Sequence, residues 1–339
     1  MPDDIIKVVN TTVKFGKNTV LNNISLEIKK GETFGIVGMS GSGKTTFLNT
    51  LIGIIDPQPG EVLFRFETKK GPETSFEYKP VTKDILKVRR LFGFAAQDPS
   101  FYMQLTVKEN MEYFAAMYGL SAQVKKNNIS TLLELVGLSH CQDLHAEQLS
   151  GGMKKRLDIA CALVHNPEVL ILDEPTADLD PLLREQMWDI IHKINKKGTT
   201  IILASHFLRE MELLCHRIAI LHNSKINTIG SPDYIRSVYT KNEEIHLETF
   251  PGKYDAIVEQ LQKIKGLKMP KIINKGHKLI IYTPDSMNVL HHLLHAVEKQ
   301  NEGLIDVDVH KPSLREVFES LIKREEKQIK NAKAADNNP

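Results

Sequence analysis

The run Gly38-Met39-Ser40-Gly41-Ser42-Gly43-Lys44-Thr45 has the spacing G-x-x-x-x-G-K-[ST]. Glycines at these positions let backbone N–H groups turn inward around an anion, since a Cβ would block the approach. The helix expected from Lys44 points the positive end of its dipole at the same place. Lys44 can neutralise the β- and γ-phosphates of a nucleotide, and the Thr45 hydroxyl can ligate Mg²⁺. With Thr46 directly behind it, Gly38–Thr46 is the expected phosphate-binding surface.

Two further constellations bear on the same chemistry. The apolar run Val169-Leu170-Ile171-Leu172 ends in Asp173-Glu174. A strand that stops on an acid delivers a carboxylate to the edge where ligands of open α/β sheets bind. Asp173 is therefore expected to hold Mg²⁺ through a water, and Glu174 to polarise the water that attacks the nucleotide. Between the two lies Leu149-Ser150-Gly151-Gly152-Met153-Lys154-Lys155-Arg156. Ser150 is placed to cap a helix that opens on two bare glycine amides, a second anion-binding helix end. One bound ATP does not need two such ends from one subunit. The economical arrangement is a dimer in which this end covers the γ-phosphate held by the other copy.

These residues require a frame. Strands are expected at 5–9, 11–15 and 24–28, where β-branched residues alternate with Asn, Gly and Lys, and a buried strand at 33–37 feeds the glycine-rich turn. Residues 61–66 alternate as a half-exposed strand. Residues 67–80, polar and broken by Gly71 and Pro72, read as a surface loop. A helical region follows over about 100–164, interrupted near Gly119, Gly137 and Ser150–Gly152. Strand 169–172, helix 181–193, strand 199–204, helix 208–214 and strand 217–221 then alternate, which implies a parallel sheet covered by helices. From about residue 241 the order changes to strand, helix, two strands, helix, strand and a last helix at 313–323. That is a βαββαβ, ferredoxin-like unit. The expected division is thus 1–240, an accessory α+β unit at 241–323, and a flexible tail at 324–339. The fold class is α/β: a phosphate-loop NTPase with a mixed or parallel sheet, an antiparallel β subdomain and a helical subdomain.

Composition excludes several alternatives. The 339 residues suit two domains rather than one. Forty-four basic residues nearly balance 42 acidic ones, a net charge of +2, so no field for binding a polyanion is implied and no nucleic-acid partner is expected. The apolar runs are far shorter than the ~20 residues that span a bilayer. Met1-Pro2-Asp3-Asp4 lacks the regions of a signal peptide, so a cytoplasmic location is expected. Cys141, Cys161 and Cys215 are scattered and odd in number, and read as packed thiols rather than as a disulfide or zinc framework.

In this order and context the motifs resemble those of ATP-binding cassette (ABC) transporter ATPases, over about residues 5–235. The resemblance adds roles that spacing alone does not. Phe15, before Gly16, matches the aromatic residue stacked on adenine. Gln97, in Ala95-Ala96-Gln97-Asp98-Pro99, matches the glutamine that touches Mg²⁺ and faces the membrane subunit. Leu149–Met153 matches the family signature, Ala177-Asp178-Leu179-Asp180 the loop that crosses the dimer interface, and His206 the switch histidine on the γ-phosphate. Phe15 stands where tyrosine is commoner, which keeps stacking and loses a hydroxyl. The stretch 67–80 lengthens the segment before Gln97. At the far end His310-Lys311-Pro312-Ser313-Leu314-Arg315-Glu316-Val317-Phe318 is similar to an ending common in exporter-type members, those of multidrug, sodium, lipid and polysaccharide export. The resemblance implies an ATPase subunit working as a homodimer with separate membrane-spanning permease subunits, at the inner face of the membrane. A soluble cassette ATPase of translation or DNA repair would carry two cassettes or a long coiled coil between phosphate loop and signature. Lys44 to Ser150 leaves no room for one. A cassette that only switches on ATP would not need both Glu174 and His206.

Overall fold

Apolar runs closed by glycine on one side and acid on the other become the central strands of the first of two units. The structure is a computed structural model, describing residues 4–70, 73–83, 85–239, 242–311 and 313–318. The units are Met1–Pro232 and Asp233–Pro339.

The first unit begins with β1 (Asp4–Phe15) and β2 (Asn18–Lys29), followed by β3 (Thr33–Val37) and α1 (Lys44–Leu51). Where the sequence suggested separate strands at 5–9 and 11–15, β1 is continuous. Asn10 takes a left-handed φ of 48° and the register with β2 shifts between Val8 and Thr11, so a bulge absorbs the polar break. Next come β4 (Glu61–Lys70) and β5 (Glu73–Pro80). They correct the expected loop at 67–80: the two strands pair antiparallel from Leu63↔Pro80 out to Lys70↔Glu73. Local polarity misled because the outer part of this ribbon is held by cross-strand pairing rather than by an apolar pattern along either strand. The antiparallel sheet has the order β2-β1-β4-β5.

After α2 (Ile85–Leu91) and β6 (Phe92–Ala95), the helical segment comprises α3 (Val107–Met117), α4 (Ala122–Leu135) and α5 (Gly151–Leu163). Thr106 and Glu109 form a reciprocal capping box at the start of α3. The chain then alternates through β7 (Val169–Asp173), α6 (Pro181–Lys196), β8 (Thr200–Ser205), α7 (Leu208–Leu214), β9 (Arg217–His222) and β10 (Lys225–Gly230). The six-stranded sheet has the order β10-β9-β3-β8-β7-β6, parallel except for the β9–β10 hairpin. Every residue of β3, β7 and β8 is buried, as in a sheet covered on both faces. Phe47, Leu48 and Leu51 of α1 share one core with Phe34 and Ile36 of β3 and with Ile6, Ile28 and Phe64 of the antiparallel sheet. The three cysteines are free and buried. No described helix is long and apolar enough to cross a membrane.

The second unit opens with α8 (Pro232–Tyr239), which begins at the boundary. It continues through β11 (Glu243–Phe250), α9 (Tyr254–Gln262), β12 (Lys271–Asn274), β13 (Leu279–Thr283), α10 (Ser286–Lys299) and β14 (Gly303–His310). Its sheet, β12-β13-β11-β14, is antiparallel throughout, the strand order of a ferredoxin-like unit. Ile245, Leu247, Ile257, Leu261, Leu279, Ile281 and Leu293 form its core. Ser313 and Glu316 make the reciprocal capping pair expected from the sequence. Pro312, residues 319–323 of the expected last helix and the expected tail at 324–339 lie outside the described residues.

Candidate active site

The phosphate loop joins the buried end of β3 to α1. Gly43 sits at the helix start with φ 102°, where an added Cβ would lie 2.9 Å from Val20 Cγ1. At Gly38 a Cβ would meet the Leu221 carbonyl oxygen at 2.5 Å. Both positions are therefore closed to any other residue. No side chain caps α1 and no acid occupies its first turn, so nothing competes for its leading amides. Ser42 Oγ is buried without a partner among the described residues. A buried unpaired hydroxyl beside free helix amides fits an anion that supplies the missing bond.

Lys44 is only 7% exposed and folds back over the loop. Its Nζ donates to the carbonyl oxygens of Gly38 at 3.0 Å and Met39 at 3.3 Å, and pairs with Glu174 Oε1 at 3.3 Å. Thr45 Oγ1 donates to Asp173 Oδ2 at 2.8 Å. Asp173 Oδ1 is buried and unpartnered among the described residues. Burial pushes the Asp173 carboxyl above its usual range and the charge of Glu174 adds to this, while the Thr45 hydroxyl and Lys44 pull it back. A hydroxyl and a carboxylate with one open oxygen form a hard-oxygen donor set of the kind Mg²⁺ takes beside a nucleotide.

Glu174 ends β7 in a left-handed conformation, φ 49°. For a residue with a Cβ this costs on the order of 1–3 kcal/mol and persists only where neighbours impose it. Its amide donates to the Ala204 carbonyl oxygen of the adjacent strand at 2.8 Å. The turn aims its carboxylate between two cations or potential cations: Lys44 on Oε1, and His206 Nδ1 at 2.8 Å on Oε2. His206 itself is half exposed. The arrangement can hold a carboxylate beside a bound phosphate and offer it to a water proton.

The structure thus joins Lys44, Thr45, Asp173, Glu174 and His206 through direct contacts. Phe15, Gln97, Ser150, Gly151, Gly152 and Asp180 stand apart from them. Phe15 is 54% exposed at the end of β1. Gln97 is exposed, and only its carbonyl oxygen is engaged, by Lys155 Nζ. Ser150 caps α5, its Oγ accepting from Met153 N at 3.3 Å, while Gly151 is exposed and Gly152 packs under Leu183. Asp180 caps α6, accepting from Leu183 N at 2.9 Å. Among the described residues no hydrogen bond or ion pair links these six residues to the Lys44 cluster.

Two buried acids were not singled out by spacing. Asp158 of α5 accepts from Ser100 N at 3.1 Å and Ser100 Oγ at 2.6 Å, tying the helix capped by Ser150 to the loop after Gln97. Glu210 of α7 accepts from Thr176 and Trp188. The available signal was an acid at a core position of an apolar helix: Asp158 between Leu157 and Ile159, and Glu210 beside Met211 and Leu214.

Comparison with known proteins places this geometry. Residues 21–177 match the ABC transporter family. A linearmycin resistance ATP-binding protein of Bacillus subtilis (strain 168), LnrL, is 30% identical over 320 residues, covering 94% of this chain and 99% of its own length. A Nod factor export ATP-binding protein I of Paraburkholderia xenovorans (strain LB400) is 32% identical, covering 96% of this chain and 99% of its own. Among solved structures, cbiO1 from Clostridium perfringens, part of the ABC transporter complex cbiONQ, superposes with a TM-score of 0.62 at 28% identity, covering 77% of this chain and 96% of that one. The cassette MJ0796, a dimer in a post-hydrolysis state with ADP and Pi, does so with a TM-score of 0.58 at 27% identity, covering 67% of this chain and 98% of that one.

Proposed function

The chain belongs to the ABC transporter family as an ATP-binding, ATP-hydrolysing subunit, and from that premise we propose that it drives export through separate membrane-spanning subunits. The observation that carries the hydrolytic part is the seat of Glu174, held in a left-handed turn between Lys44 and His206. Export is supported by relatives named for resistance and Nod factor export that align over almost the whole chain, C-terminal unit included.

In this reading the amides of the Gly38–Thr46 loop and the start of α1 bind the β- and γ-phosphates. Lys44 exchanges its carbonyl partners for phosphate oxygens. Thr45 and Asp173, with Gln97 brought alongside, would hold Mg²⁺, which supplies neutralisation of phosphate charge. Once Lys44 turns to the phosphate, the Glu174 carboxylate is free to accept the proton of the attacking water. His206 keeps Glu174 oriented and reaches the γ-phosphate from its exposed side. Phe15 offers its exposed ring to the adenine. Ser150, Gly151 and Asp180 are exposed, with Gly152 packed behind them, and these residues serve the site of a second copy. The exposed Gln97 loop meets the permease, which holds the protein at the inner face of the membrane.

The test is Glu174→Gln. General-base contributions are about 10²- to 10⁴-fold, so turnover should fall by that factor. Gln keeps the shape of the side chain and removes a negative charge beside the γ-phosphate. The variant should therefore accumulate as an ATP-bound dimer, seen by size-exclusion chromatography with MgATP. Wild-type turnover would remove Glu174 from catalysis, and a variant that stays monomeric in saturating MgATP would count against the dimer.

A further inference from the structure

One fully buried acid close to this site has no part in the mechanism above. Glu210 lies in the first turn of α7, just after His206, and is 0% exposed. Its Oε1 accepts from Thr176 Oγ1 at 2.8 Å and from Trp188 Nε1 at 3.2 Å. Thr176 belongs to the turn that follows Glu174, and Trp188 to α6, whose first turn Asp180 caps. The Glu210 amide donates to the Phe207 carbonyl oxygen at 3.1 Å, and the Phe207 amide to Ser205 Oγ at 3.0 Å. Glu210 therefore joins three segments: its carboxyl accepts from the turn bearing Glu174 and from the helix behind Asp180, and its backbone is bonded into the turn bearing His206.

Stability alone does not call for an acid here. Burial pushes the Glu210 carboxyl above its usual range, against the pull of Ser205, Thr176 and Trp188 beside it. A well-packed apolar side chain in such a place is often neutral or stabilising. The turn next to it does need a tether. Glu174 holds a left-handed backbone that persists only where its surroundings over-determine it. Its own amide is fixed to Ala204, and Ala177 N returns to its carbonyl oxygen at 3.2 Å. Thr176 gives that turn a further side-chain anchor, and it ends on Glu210.

We propose that Glu210 is a positioning residue for ATP hydrolysis, holding the Glu174 and His206 turns in one arrangement and tying it, through Trp188 and α6, to Asp180. The proposal rests on the reading of Glu174 and His206 as the hydrolytic pair. A group of this kind acts on the chemical step and leaves ground-state binding by the phosphate loop alone.

The experiment is steady-state ATPase kinetics on Glu210→Leu, Glu210→Gln and Thr176→Val in the full chain, each checked for folding by thermal melting. Small displacements of reacting groups cost up to about 10²-fold in rate, so Glu210→Leu should lower kcat by about 10- to 100-fold with KM for MgATP unchanged. Glu210→Gln keeps a carbonyl acceptor for Thr176 and Trp188 and should recover most of the rate. Thr176→Val, nearly isosteric, removes one of the two bonds and should lower kcat in the same direction by less. It carries the test if Glu210→Leu does not fold. Wild-type kcat in Thr176→Val, no recovery in Glu210→Gln, or a loss expressed in KM would each overturn the proposal. If these variants turn over normally while Glu174→Gln is inactive, only the role of Glu210 falls. A fully active Glu174→Gln would remove the pair it is meant to position, and both readings with it.

Discussion

The two helix starts that could bind phosphate are built in opposite ways. At α1 the glycines are locked against Val20 and Leu221, Lys44 is buried and paired with Glu174, Thr45 with Asp173, and Glu174 in turn with His206, from the ends of β7 and β8. At α5 Ser150 and Gly151 are exposed, and Ser150 caps its own helix. The first is a site completed from within, with buried polar atoms waiting for one ligand. In the proposed reading the second is half a site, completed only by another copy. A single fold can carry both because each is a local consequence of a helix N-terminus. What differs is only which tertiary neighbours arrive.

Three variants would break or sharpen that contrast. The largest effect is expected from Lys44→Ala, which takes the mobile cation from the completed site and leaves Glu174 facing the phosphates without its partner. Tight ATP binding and hydrolysis should both be lost, as read by equilibrium nucleotide binding and phosphate release. Normal turnover in this variant would sink the assignment of the site.

A smaller and more selective loss is expected from Ser150→Arg at the displayed half. Hydrolysis should drop by about 10²-fold or more, the scale of removing a transition-state donor, while the same chain binds ATP almost as before. If instead the variant loses ATP binding as a monomer, Ser150 belongs with Lys44 in one site and the contrast disappears.

The smallest effect concerns the scaffold that both halves share. His165 stacks on Tyr118 at 3.6 Å between ring centroids, and its Nε2 donates to the Phe92 carbonyl oxygen at 3.1 Å, where β6 begins. Burial lowers its pKa to about 4, against a partial rise from the Phe92 carbonyl. The unfolded ring titrates near 6.5, so between about pH 6.5 and 4 the unfolded chain binds more protons than the folded one. Stability from the neutral ring is complete above that window and declines as pH falls through it. His165→Phe should reduce the difference in urea midpoint between about pH 7.5 and about pH 5. An identical difference in variant and wild type would show that the ring is not held neutral by this packing.

Much of the first half-site was legible in the sequence because its parts are neighbours in the chain. A strand, a glycine turn and a helix occupy 33–51 in the order their chemistry requires, and the glycines are demanded by backbone geometry that composition cannot disguise. Ser150 as a cap was equally local, and so was the alternation of 169–221 that implied a parallel sheet. From β11 to β14 the second unit was readable for the same reason, though α8 was not read from the sequence. The hairpin at 61–80 was not, because its strands are sustained by each other across the ribbon rather than by a pattern along either one. Neither was the part played by Glu210, whose partners Thr176 and Trp188 lie in other elements.

Sequence alone determined which residues could touch a phosphate. It could not determine that Lys44 meets Glu174, that Glu174 meets His206, or that Thr45 meets Asp173. Those contacts follow from the strand order β3-β8-β7, which brings the carboxyl ends of three strands to one edge of the sheet. Strand order is settled by long-range burial of whole faces, a global balance that no window of the sequence contains. The same packing gives Glu174 its left-handed turn. A residue with a Cβ would not take that conformation by itself, and tertiary neighbours impose it where the chemistry needs the carboxylate.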